Sequence, residues 1–135
     1  MSEAPEVLTL RSDGDDHVVH ASALWLGEDA LVYVWGGTHP HIGAVASAAP
    51  RPSLRDPART SATASVFTYP GHKEDTVAKA TAEALASALD AKVVVTAGIH
   101  WDHLTAAAIR IVEMRCRNIT EKLIREMPLM KKISP

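Results

Sequence analysis

Five of the seven histidines in this 135-residue chain fall in three short clusters. They are His39-Pro40-His41, Gly71-His72-Lys73 and His100-Trp101-Asp102-His103, and each stands at the end of an apolar run. Imidazole binds protons, metals or ligands near neutral pH, and neither core packing nor plain surface charge calls for it. In extended backbone His39 and His41 share one face, an arrangement able to grip a ligand or chelate a metal. Asp102 can cap a following helix or orient an imidazole. Lys73 places a cation where a helix begins, and a helix N-terminus suits an anion such as a phosphate. Together His39, His41, His72 and His100 form an adequate ligand set for a divalent metal, although their spacing matches no standard zinc motif. Taken singly, each cluster has a plainer reading as a turn or a helix start. Taken together, those plain readings must all hold at once.

Other chemistry-bearing residues carry weaker signals. Ser61, Thr63 and Ser65 alternate on one face of a strand, which is also ordinary β composition. His17 and His20 lie on different faces of a strand and receive no role. Trp25, Trp35 and Trp101 suit a core or an interface, but Trp35 and Trp101 flank histidine clusters and could stack on a planar ligand. Cys116 lies on the apolar stripe of a helix and reads as core.

The elements that must position these residues follow from periodicity. Residues 6–12, 17–26 and 30–36 read as three strands of an antiparallel meander, separated by Asp13-Gly14-Asp15-Asp16 and Gly27-Glu28-Asp29. Residues 42–49 form a fourth strand of unusually small residues. A polar loop at 50–60 carries Arg51, Arg55 and Arg59, and 61–69 is a fifth strand. From 73 to 89 the period becomes helical, with Val77, Ala80, Ala84, Leu85 and Ala88 as the expected stripe. Residues 92–97 form a sixth strand of buried character. A second helix spans 104–127, with Ala108, Val112, Cys116, Ile119, Leu123 and Met127 facing inward. The order β-β-β-β-β-α-β-α predicts an α+β fold: a mostly antiparallel sheet of about six strands with two helices on one face. One domain over 1–135 is expected, with 1–5 and 128–135 as loose tails.

On that plan the unit 61–98 is a right-handed parallel crossover, so strands 61–69 and 92–97 end at one sheet edge. If 42–49 runs antiparallel to 61–69, all three clusters reach that edge. If 30–36 and 42–49 are hairpin partners, Trp35, Gly36 and Gly37 join them there, and the arginine loop falls at the opposite edge.

Composition narrows the class. The chain is 47% hydrophobic but only 4% aromatic, so its core is built of small aliphatics. A net charge of −2 and the lack of a Lys/Arg block speak against a nucleic-acid or anionic-membrane surface. The N-terminus carries no apolar leader, and no run approaches membrane-spanning length. A single cysteine suits a reducing, cytoplasmic setting.

Several segments resemble one family. Gly37-Thr38-His39-Pro40-His41-Ile42-Gly43-Ala44-Val45-Ala46 and Pro50-Arg51-Pro52-Ser53-Leu54 are similar to the first half of the LpdD-like prenylated-flavin chaperones. Ser61-Ala62-Thr63-Ala64-Ser65-Val66, Gly71-His72-Lys73-Glu74-Asp75 and Ala97-Gly98-Ile99-His100-Trp101-Asp102 are similar to the rest, in order, over roughly residues 30–125. The resemblance implies binding of reduced prenylated FMN and its delivery to an apo UbiD-type decarboxylase. A flavin prenyltransferase is a further partner and a homo-oligomer the expected state. It implies cofactor contacts from Trp35, Gly37, Thr38, His39, His41, Gly71, His72, Lys73, His100, Trp101 and Asp102, with a divalent metal as an added option at the histidines. Two other readings stand beside it: a small metal-dependent enzyme using the imidazoles, and a purely structural decarboxylase subunit. No acid–base pair or activated nucleophile stands out, which lowers the enzyme reading.

Overall fold

A computed structural model describes residues 4–69 and 74–131. Six strands and two helices follow in the expected order: β1 Leu8–Arg11, β2 Val19–Leu26, β3 Asp29–Gly37, β4 Ala44–Pro52, β5 Thr60–Thr68, α1 Asp75–Leu89, β6 Val93–His100 and α2 Ala106–Met130. The strands form one sheet in the order β1-β2-β3-β6-β4-β5. The sheet is mixed rather than purely antiparallel, because β3 pairs parallel with β6.

That pairing corrects the expected hairpin between residues 30–36 and 42–49. β6 lies between β3 and β4 and pairs with both. The reason lies in Val93-Val94-Val95, an uninterrupted apolar run suited to a strand with neighbours on both sides. β5 and β6 are each antiparallel to β4, so they run the same way, with β4 between them. The connection 38–43 therefore passes over the end of β6 instead of turning tightly. β2 and β3 do form a hairpin, across Gly27-Glu28, where Gly27 takes φ 65°.

Both helices cover one face. α1 packs on β4, β5 and β6, α2 on β1 and β2, and the helices also touch each other. The core between them and the sheet holds Val19, Ala21, Ala23, Val32, Val34, Ala44, Ala46, Val93, Val95 and Ala97 from the strands. Leu85, Ile119, Leu123 and Met127 fill it from the helices. Alternation sends Leu31, Tyr33, Trp35, Val45, Thr96 and Phe67 to the opposite face, which no described element covers.

Three details differ from the pattern in the sequence. On α1 the buried residues are Ala78, Thr81, Ala82, Leu85 and Ala86. The expected stripe shares only Leu85 with them, because an alanine-rich helix shows little contrast between its faces. α2 extends through Pro128 to Met130, so residues 128–130, expected in the tail, are helical. Its N-cap is Thr105, whose hydroxyl accepts from the Ala108 amide at 3.0 Å, and not Asp102.

Candidate functional site

The end of the sheet where β3 and β6 finish gathers two of the histidine clusters. His39 and His100 stand with ring centroids 5.5 Å apart. The Nε2 of His100 lies 2.8 Å from Oδ1 of Asp102, so Asp102 orients an imidazole. His41 Nδ1 is 2.7 Å from the carbonyl oxygen of His39, and its Nε2 is 2.9 Å from Oε1 of Glu74. His39 and His41 thus turn apart, one toward His100 and the other toward Glu74. Gly71, His72 and Lys73 lie outside the described residues. Glu74, which follows them directly, is at the same edge.

The segment 38–43 is strapped across the strand ends. Thr38 donates its amide to the carbonyl of His100 at 2.8 Å, and Gly43 donates to Ala97 at 2.9 Å. The Ile99 amide donates to Oε1 of Glu74 at 3.4 Å. Glu74 is 9% exposed and so ties helix, strap and strand together. The strap lies so close that a Cβ on Gly98 would overlap the carbonyl of His41. Gly37, with φ 87°, packs in the same way against the carbonyl of His100. Both positions need glycine for close backbone approach.

On the open face the strap borders a hollow of about 530 Å³, lined by Leu31, Tyr33, Trp35, Pro40, His41, Ile42 and Thr96, with the backbone of Val34. Its floor is aromatic. Trp35 stacks with His20, at 5.4 Å and 16°, and with Tyr33, at 5.7 Å and 25°. Trp101 occupies the other side of the sheet. It packs against the core, its ring 3.3 Å from where a Gly36 Cβ would be, and meets His17 edge-on at 5.1 Å. The two tryptophans that flank the histidines in sequence are therefore on opposite faces, and only Trp35 lines the hollow.

Among the described residues, no group of three or more His, Cys, Asp or Glu side chains is placed to hold a metal. His41 and His100 instead engage Glu74 and Asp102. The anion seat expected of Gly71, His72 and Lys73 at the start of α1 lies outside the described residues. Asp75 stands in the first turn of α1 and Glu74 at its N-cap, and these carboxylates already answer the helix dipole. Ser61, Thr63 and Ser65 lie away from the histidines along β5, and Thr63 Oγ1 accepts from Arg51 Nε at 2.7 Å. Sequence reasoning assigned no site role to Tyr33, Thr96, Ile42, His20 or Glu74. Tyr33 was legible from the two-residue period that it shares with Leu31 and Trp35. Glu74 stood within one of the resembling segments, but its partners were not legible there, because they come from two distant segments.

The fold and site define a small α+β domain with one helix-covered sheet face and an open aromatic shelf beside a polar rim. A similar architecture occurs in a solved chaperone complex for yeast 20S proteasome assembly, with a TM-score of 0.51 and 12% identity over 92% of this chain and 97% of that one. No curated protein matches. The family model for the prenylated flavin chaperone LpdD-like domain matches residues 13–128, and the chain belongs to that family.

Proposed function

We propose that the protein binds reduced prenylated FMN on its open shelf and delivers it to an apo UbiD-type decarboxylase, acting as an accessory protein rather than a catalyst. The stacked row His20–Trp35–Tyr33, set beside a hollow of about 530 Å³, carries this reading. That volume lies within the range of small-molecule sites, about 300–1,000 Å³. Near-parallel aromatic faces suit a flat ring system. The residues present therefore fit the ring system of the flavin, which supplies its decarboxylation chemistry only in the partner; holding its phosphate is the task expected of Gly71, His72 and Lys73, outside the described residues.

Each part of the site has a task in this reading. Trp35 and Tyr33 provide the flat wall, and Thr96 a hydroxyl. His39 and the Asp102-oriented His100 supply polar groups at the rim. The Glu74–His41 contact holds the strap that closes one side. The shelf is open to solvent along its length, which leaves a path for hand-over to a partner. A flavin prenyltransferase is the source that the cofactor's chemistry requires. The proposed working place is the cytoplasm; among the described residues, no helix is long and apolar enough to cross a membrane.

The deciding experiment is anaerobic titration with reduced prenylated FMN, followed by mixing with an apo-decarboxylase. Saturable binding and a gain in decarboxylase activity are expected. Failure of both would overturn the reading.

A further inference from the structure

β5 is an edge strand, and it lacks the devices that usually protect an edge. Its nine residues, Thr60–Thr68, include no charged residue and no proline. β1, at the other edge, has four residues and includes Arg11. Ser53 donates to the carbonyl of Arg59, and Tyr69 to that of Gly43. These bonds turn the odd-numbered backbone groups of β5 toward β4, so Ala62, Ala64 and Val66 present theirs outward. At one end of the edge, the Ser87 hydroxyl donates to the outward carbonyl of Thr60 at 3.0 Å. For Ala62, Ala64 and Val66 no such partner occurs among the described residues. Val66 and Phe67, 37% and 60% exposed, stand on this strand.

We infer that β5 pairs antiparallel with β5 of a second copy of this chain, about a two-fold axis at Ala64. The occupant follows from the strand's self-complementarity. In this register Phe67 faces Ser61 of the other copy and Val66 faces Ala62, so large meets small on both faces of the sheet. Thr63 faces Ser65, and Ala64 meets its own equivalent. No like charges are brought together along the nine residues. Ala80 and Ala84 share a helical stripe with Ser87 on the flank of α1 near this edge, with Glu83, paired to Lys79, beside them. The result is a continuous twelve-stranded sheet with both helix layers on one side and both aromatic shelves uncovered on the other. A dimer built face to face would cover the shelves instead. This interface does not depend on the cofactor reading.

Sedimentation and light scattering of the full chain at micromolar concentration test it, together with thiol cross-linking. A dimer is expected, and Val66→Pro, which removes an outward N–H, should make it monomeric with an unchanged circular dichroism spectrum. Val66→Lys, which keeps every amide, should do the same, so that a folding defect in the proline variant cannot decide the outcome. Thr63→Cys/Ser65→Cys should oxidise to a covalent dimer and Tyr33→Cys should not. A monomeric wild-type protein, a dimer that survives both Val66 variants, or cross-linking through Tyr33→Cys would each overturn the inference; pairing of β5 with another protein in place of a second copy is the first of these outcomes.

Discussion

Single residues at the site divide into those that meet a ligand and those that hold the fold around it. Trp35 lies on the open face and is only half-buried, so Trp35→Ala should leave the fold intact. Flavin affinity should fall roughly tenfold, equivalent to about 1.4 kcal/mol. Anaerobic titration of the two proteins side by side measures this, and equal affinities would remove the shelf from the site. Glu74 is different, since it accepts from the Ile99 amide and meets His41 while almost wholly buried. Glu74→Ala should cost about 1–3 kcal/mol in urea denaturation, because buried donors lose their acceptor. Cys116, on α2, is buried in the core. Burial pushes its thiol up to about 12, far above the ordinary thiol range. The reactive thiolate is therefore scarce in the folded protein at pH 8, and alkylation by iodoacetamide should be much slower in the native than in the urea-unfolded state. Comparable rates would mean that the residue is not held in the core.

Elements position these residues mainly through close backbone contact. The strap 38–43 lies on β6 because Gly98 has no side chain. Gly98→Ala must displace the backbone of His41, and should cost about 1–3 kcal/mol and weaken flavin binding as the hollow deforms. Gly36→Ala meets the Trp101 ring at 3.3 Å and the Val18 carbonyl at 3.2 Å, a milder conflict. Equilibrium unfolding of both variants provides the comparison, and an equal loss in each would contradict the strap's role. The two helices show what periodicity can carry. On α2, Ile119, Leu123 and Met127 stand out against Arg117, Glu121 and Arg125, and the inward face was legible. On α1, alanines occur on every side, so which of them are buried depended on how the helix lands on β4, β5 and β6.

At the scale of the molecule, the sequence-distant ends of the chain are tied by charge. Asp13 bonds Lys122 and Asn118, and Asp16 pairs with Arg115, joining the β1–β2 loop to α2. The Lys122 hydrogen bond and charge hold the Asp13 carboxyl below its ordinary 3.8, and the Arg115 hydrogen bond does the same for Asp16. A depressed carboxyl pKa stabilises the fold above the unfolded value, and that contribution disappears as pH falls through the folded one. The urea midpoint of the wild type should therefore exceed that of Asp13→Asn/Asp16→Asn near neutrality, and the gap should close below pH 3.8. A gap independent of pH would show that these pairs add nothing through charge. Element type and order and the helix-covered face were readable from local pattern, because periodicity and turn residues act within a few positions; His39 meets His100 through the parallel β3–β6 pair and not through the expected hairpin. The insertion of β6 between β3 and β4, the separation of Trp35 from Trp101, and the placing of Glu74 on His41 were not readable in this way. Each depends on contacts between segments far apart in the chain, where a valine run seeks neighbours on both sides and a missing Cβ lets one backbone cross another. The amino-acid sequence by itself determined which residues could make a site; only tertiary packing decided which of them share a face.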